Sequence, residues 1–139
     1  MKKILFVCTG NTCRSPMAEG IFNKMAGINN WSALAESAGI MVTETAVSEN
    51  SLAVCKENGI DISKHISRQL TREMIEDSDV ILTMTKSHKM IFDGLSKVFT
   101  LSEYVGGEED VSDPYGGDLE VYRKTFSQLE TLIGKYYED

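Results

Sequence analysis

Two short apolar runs stand out from an otherwise mixed chain: Lys3 to Cys8 near the start, and "DVILTMT" (79–85) past the middle. An unbroken run of this length reads as a strand buried on both faces, the type that parallel sheets use. The turn "TGNTCR" follows the first run. Ser15-Pro16 then predicts a helix start, with serine as N-cap and proline in the first helical position. Met17, Ile21, Phe22 and Met25 give that helix an apolar stripe. "SALAESAGI" predicts a second strand, and Ala46 to Asn58 a helix stopped by Gly59. "TREMIEDS" and "KSHKMIFDGL" predict helices, and "KVFTLSEYV" a last strand. Beyond the loop 106–117, Leu119, Tyr122, Phe126, Leu129, Ile133 and Tyr136 recur every three or four residues, which predicts one long amphipathic helix.

Strands alternating with helices predict an α/β fold: a single doubly wound three-layer domain over 1–139, around a central parallel four-stranded sheet. Sheets of this kind bind ligands beyond the carboxyl ends of their strands. Cys8 stands at such an end and leads directly into a helix.

Composition narrows the classes. A length of 139 residues fits one domain of about 100–150. A net charge of −7 with no run of Lys or Arg argues against nucleic acid. No segment approaches the roughly 18 apolar residues of a membrane helix. The apolar stretch Ile4 to Val7 also falls short of the roughly 7–15 residues of a signal-peptide core, so a cytoplasmic location is expected. Cys8, Cys13 and Cys55 make an odd count, which suits free thiols in a reducing compartment better than a disulfide framework. Cys8-x4-Cys13 is too wide for a zinc knuckle and the only histidines are His65 and His88, so no metal or other cofactor is expected.

The candidate chemistry lies in the C-x5-R spacing of Cys8 and Arg14. Wrapped around an anion, a strand-to-helix loop converges its backbone N–H groups on one point, where the helix dipole adds positive potential. Thr9, Gly10, Asn11, Thr12, Cys13 and Ser15 would form that cradle. Gly10 would supply conformations closed to other residues, and Asn11 tolerates a left-handed one. Arg14 can close the site with a bidentate fork on two phosphate oxygens. The same field favours negative charge on the Cys8 sulfur, and Ser15 can donate a hydrogen bond to it. A phosphate site with a nucleophile at its floor then needs an acid and base, and Asp113 in "DVSDPYGGD" is the candidate. Cys13, on the same tight loop, could form a disulfide with an oxidised Cys8. Cys55 falls on a helical stripe and reads as core; His88 reads as a solvated helix residue.

Together "VCTGNTCRSPMAE", "SAG" (37–39), "GIDISKHISRQLT", "DVILTMT" and "DPYGG" resemble the low-molecular-weight protein tyrosine phosphatases over essentially the whole chain. The resemblance implies Cys8 as nucleophile, Arg14 as phosphate ligand and Asp113 as general acid and base. It implies Asn11, Ser15, Ser37 and His65 as the network that holds the loop. Thr12, where tyrosine-specific members carry an aliphatic residue, and Tyr115 followed by Gly116 rather than a second aromatic, resemble the bacterial protein-arginine phosphatase branch. A phosphorylated guanidinium is polar and branched beside the phosphorus, so a threonine hydroxyl, one fewer aromatic wall and the Asp113 carboxylate suit it.

The expected activity is therefore metal-free hydrolysis of phosphoarginine on proteins through a cysteinyl-phosphate, by a monomer releasing inorganic phosphate. Phosphotyrosine hydrolysis is the alternative. Arsenate reduction on the same scaffold lacks its second cysteine pair, since only Cys55 follows Cys13. A non-catalytic phosphate-binding module would need neither Cys8 nor Asp113.

Overall fold

In the computed structural model, which describes residues 1–138, the first apolar run becomes β1 (Lys2–Cys8). Its side chains alternate: Ile4, Phe6 and Cys8 enter the larger core, while Leu5 and Val7 enter a smaller one on the opposite face. A strand covered on both faces has no solvent side, which is why the run is continuous. β2 (Ala33–Gly39), β3 (Val80–Thr83) and β4 (Val98–Thr100) complete a sheet of order β2-β1-β3-β4, with every pair parallel.

The helices are α1 (Arg14–Asn29), α2 (Glu49–Glu57), α3 (Arg72–Asp77), α4 (Lys86–Met90), α5 (Leu101–Tyr104) and α6 (Leu119–Ile133). Side chains of α1, α2, α5 and α6 fill the larger core; Met74 and Ile75 of α3, with Phe92 just past α4, cover the smaller one. The architecture is the three-layer α/β arrangement read from the sequence. The chain runs from β1 out to β2 and then crosses back to β3, so the strand order reverses between β1 and β3. A crevice opens beyond the carboxyl ends of the strands at such a point, and Cys8 ends one of them.

The aromatic stripe of α6 continues past the helix. Tyr136 lies three residues beyond Ile133 and packs 5.0 Å from Phe22 of α1 and 4.6 Å from Trp31. Full burial of a side chain such as Phe22 contributes about 1.5–3 kcal/mol, so this cluster fastens the last helix to the first. No helix among the described residues is long and apolar enough to cross a membrane.

Several boundaries differ from the sequence reading. α1 starts at Arg14 with Cys13 as N-cap, so Pro16 is its third residue and Ser15 does not cap it. The Ser15 hydroxyl is engaged by Cys8 and Asn11 instead. The expected strand "KVFTLSEYV" stops at Thr100 and turns into α5, because Thr100 and Glu103 form a reciprocal capping box. α2 begins at Glu49 rather than Ala46, since Ser48 caps it and Ala46 bridges to Ile66. The helix expected over 86–95 ends at Met90, ahead of left-handed Asp93 and Gly94.

Candidate active site

The loop from Thr9 to Cys13 is organised around Asn11, which is fully buried and takes φ 56°. Asparagine is among the few residues that accept this left-handed geometry. All four bonding positions of its amide are used. Nδ2 donates to Ser15 Oγ at 2.7 Å and to Ser37 Oγ at 3.0 Å. Oδ1 accepts from His65 Nε2 at 3.1 Å and from the Arg68 backbone N–H at 2.9 Å. Its carbonyl accepts from Ser67 Oγ at 2.7 Å. The conformational freedom expected of Gly10 is not needed there: it is absent from the left-handed positions, and an added Cβ would meet only Thr12 Oγ1, at 3.6 Å. Gly39 is the glycine the loop requires. A Cβ there would lie 2.7 Å from the Thr9 carbonyl oxygen and 2.9 Å from the Asn11 nitrogen.

Cys8 is 3% exposed, with its Sγ 2.9 Å from Ser15 Oγ. Because Asn11 already donates to that oxygen, the serine hydrogen is free to point at the sulfur, which would steady a thiolate. The network continues outward through Ser37, whose Oγ donates to Glu19 Oε1 at 2.8 Å. His65 is half-buried; burial pushes its pKa down and the nearby Arg68 charge adds to this, with Glu19 and Asn11 opposing. The side chain of Cys13, the N-cap of α1, makes no capping hydrogen bond among the described residues. Its first backbone N–H groups are therefore left for an anion, where the helix dipole favours negative charge.

Arg14 is buried, with Nη1 donating to the Val111 carbonyl at 3.0 Å. Its Nη2 lies 3.6 Å from Asp113 Oδ2, and that carboxylate is 57% exposed. Asp113 Oδ1 accepts from the Tyr115 backbone N–H at 3.0 Å, which closes a tight turn over buried Pro114. Gly116 at φ 83° then reverses the chain. A cleft of about 280 Å³ joins these groups: Cys8, Thr9, Gly10, Thr12, Cys13 and Arg14 at one side, Asp113 and Tyr115 at the other.

Every residue expected at the site thus lies in one place. Cys8, Arg14 and Asp113 face the cleft; Asn11, Ser15, Ser37 and His65 form the support behind it. Cys13 lines the cleft, but its sulfur is 3.3 Å from Tyr122 Oη and 3.7 Å from Ser48 Oγ. Burial, together with the bond to Cys13, pushes the Tyr122 phenol up to about 12. Cys55 is fully buried, as expected of a core thiol, and burial pushes it up to about 12. His88 is not solvated, contrary to the sequence reading. It is buried, with Nε2 2.9 Å from Thr9 Oγ1.

Met41, Thr43 and Glu44 also line the cleft and were missed from sequence. They follow β2 directly, and the rule placing ligands beyond strand carboxyl ends would have pointed to them.

Residues 3–139 match the family described as low molecular weight phosphotyrosine protein phosphatase. The chain is 40% identical over 137 residues to a protein-arginine-phosphatase of Bacillus subtilis, covering 94% of this chain and 91% of that protein. It is 41% identical over 138 residues to the low molecular weight protein-tyrosine-phosphatase PtpB of Staphylococcus haemolyticus, covering 96% of each. Among solved structures, a low molecular weight protein tyrosine phosphatase from T. tengcongensis superposes with TM-score 0.92 at 46% identity, covering 97% of both chains. The YwlE arginine phosphatase from Geobacillus stearothermophilus superposes with TM-score 0.89 at 41% identity, covering 97% of this chain and 90% of that one.

Proposed function

The chain belongs to the low molecular weight phosphotyrosine protein phosphatase family, and from that premise we propose that it removes phosphate from phosphoarginine on proteins in the cytoplasm. As a member it is a hydrolase of the cysteine-based phosphatase class. The observation that carries the phosphoarginine reading is the chemistry of the cleft walls. Beyond the anion cradle stand the Thr12 side chain, the two carboxylates Asp113 and Glu44, and a single aromatic ring, Tyr115. Carboxylates and a hydroxyl match the N–H groups of a phosphorylated guanidinium, whereas an aryl ring would gain little from them.

In this mechanism phosphate oxygens sit on the loop N–H groups from Thr9 to Ser15 and on the Arg14 fork. The Cys8 thiolate attacks phosphorus in line; the S–P bond forms as the N–P bond breaks. Asp113 protonates the departing guanidine nitrogen and then takes a proton from the water that hydrolyses the cysteinyl-phosphate. Inorganic phosphate and the thiolate are the products of the second step. Asn11, Ser15, Ser37 and His65 hold the loop so that its N–H groups need not reorganise as charge moves.

Thr12 is the test of substrate class. Thr12→Ile removes the hydroxyl and fills the space beside the phosphorus. The expected result is a swing of about 10–100-fold in relative kcat/KM from a phosphoarginine peptide toward a phosphotyrosine peptide. A wild-type enzyme that already prefers phosphotyrosine would make Tyr115, 71% exposed on the cleft wall, the main specificity element and overturn the phosphoarginine reading.

Oxidation is the remaining proposed property. Peroxide converts the Cys8 thiolate to a sulfenic acid, and Cys13 displaces hydroxide from it to give a disulfide. A thiol reductant then restores both sulfhydryls. Mass spectrometry after brief peroxide treatment is expected to show a Cys8–Cys13 cross-link, with activity regained on reduction. In Cys13→Ser the loss should become irreversible; recovery equal to wild type would remove Cys13 from the scheme.

A further inference from the structure

His88 is a buried titratable group that the reaction above does not use. It reaches the site from the far side of the strand-order reversal, on α4 just after β3, while Thr9 follows Cys8 directly at the end of β1. Its backbone N–H donates to Thr85 Oγ1 at 3.1 Å in the cap of α4, which fixes the turn of backbone that carries the ring. Its Nε2 lies 2.9 Å from Thr9 Oγ1, and its Nδ1 is buried without a hydrogen-bond partner among the described residues.

That asymmetry selects a tautomer. A proton on Nδ1 would bury an unpaired donor, and a doubly protonated ring would do so while adding a cation near Arg14. A proton on Nε2 instead finds the threonine oxygen and leaves only an acceptor lone pair unmatched, the lesser cost. Charged neighbours agree: burial and the Arg14 charge push the ring below its ordinary value of 6.5, opposed by Asp110 and Asp113. The ring is therefore neutral and donates, and Thr9 Oγ1 accepts.

An accepting hydroxyl still has its own hydrogen to place. Thr9 makes no other side-chain hydrogen bond among the described residues, and it is exposed to the cleft beside Cys8. We infer that His88 is a positioning residue for this site: its Nε2–H fixes the Thr9 side chain so that the hydroxyl hydrogen is delivered to an oxygen of the phosphoryl group held over Cys8. The inference rests on the proposed phosphate site and adds a side-chain donor to the backbone cradle. It also accounts for a histidine buried with one nitrogen unmatched, which a purely structural position would fill better with an apolar residue.

The experiment compares the wild type with Thr9→Val, His88→Leu, His88→Gln and the Thr9→Val/His88→Leu double variant. It reads kcat and KM on a phosphoarginine peptide and a phosphotyrosine peptide, and competitive inhibition by inorganic phosphate. Loss of a hydrogen bond to a charged oxygen should weaken phosphate inhibition by about tenfold or more in Thr9→Val and in His88→Leu, and no further in the double variant. His88→Gln, whose amide nitrogen reaches about where Nε2 lies, should recover most of the loss. Independently, the imidazole 15N shifts should report the Nε2-protonated tautomer. Phosphate inhibition in Thr9→Val within about twofold of wild type, losses that multiply in the double variant, or a proton on Nδ1 would each overturn the inference. Should His88→Leu fold poorly, His88→Gln and the wild-type tautomer decide the role of His88, and Thr9→Val decides that of the hydroxyl it would position. Failure of the wild type to hydrolyse either peptide would instead overturn the phosphatase mechanism itself.

Discussion

Cys8→Ala is expected to lower kcat by about 10⁴-fold or more while inorganic phosphate still binds. The separation follows from how the loop is built. Its shape depends on Asn11, whose four amide hydrogen bonds and left-handed backbone do not involve the sulfur. Arg14 is anchored by the Val111 carbonyl, also independently of Cys8. Alanine removes one partner of Ser15 Oγ, which keeps its bond from Asn11. A single buried sulfur is lost, so the cavity should cost no more than about 1 kcal/mol of stability. The measurement pairs steady-state turnover with phosphate binding by calorimetry and thermal melting. Turnover within tenfold of wild type would rule out Cys8 as nucleophile. Intact binding without turnover in the wild type as well would favour a phosphate-binding module.

The site was legible in the sequence to the extent that its chemistry is local. Cys8 and Arg14 share one short loop, so spacing alone could bring them together, and the buried strand before them placed that loop at the carboxyl end of a parallel sheet. Asp113 was found because a second group was needed and Asp-Pro-Tyr-Gly-Gly supplied a carboxylate in a turn. The network roles of Ser37 and His65 came from family resemblance, since nothing in their spacing reveals that β2 and the 62–68 segment close on Asn11. His88 was misread for the same reason. A lone histidine in a short helix looks solvated until the parallel pairing of β1 with β3 sets α4 beside Thr9. The error over Gly10 and Gly39 is similar: close approach, rather than a turn, makes a glycine necessary at position 39, and the approaching backbone comes from 30 residues away. The fourth strand ran too long because β-branched and aromatic residues masked the Thr100–Glu103 capping box, a signal that was present in the chain.

Asp113→Asn should divide the reaction according to the leaving group. The substitution keeps the side-chain shape and the Oδ1 acceptor for the Tyr115 N–H, so the turn that carries the residue persists. It removes the charge facing Arg14, yet Arg14 remains tied to Val111. Phosphate binding should therefore change little. What is lost is the proton. A guanidine nitrogen leaves phosphorus poorly unless it is protonated, and loss of a positioned general acid costs about 10²–10⁴ in rate. Hydrolysis of a phosphoarginine peptide is expected to fall by that factor in kcat, with a smaller rise in KM from the lost carboxylate contact to the guanidinium. An aryl phosphate whose phenol is strongly acidic needs no such help to depart, so its cysteinyl-phosphate should form at close to the wild-type rate. Its overall turnover should then be limited by the second step, where Asp113 activates water. A pre-steady-state burst of the phenol in Asp113→Asn, larger relative to the steady rate than in wild type, is the result that assigns both roles to one carboxylate. Equal losses for the two substrates with no burst would mean that Asp113 protonates no leaving group, and that its place near Arg14 serves the electrostatics of the cleft instead.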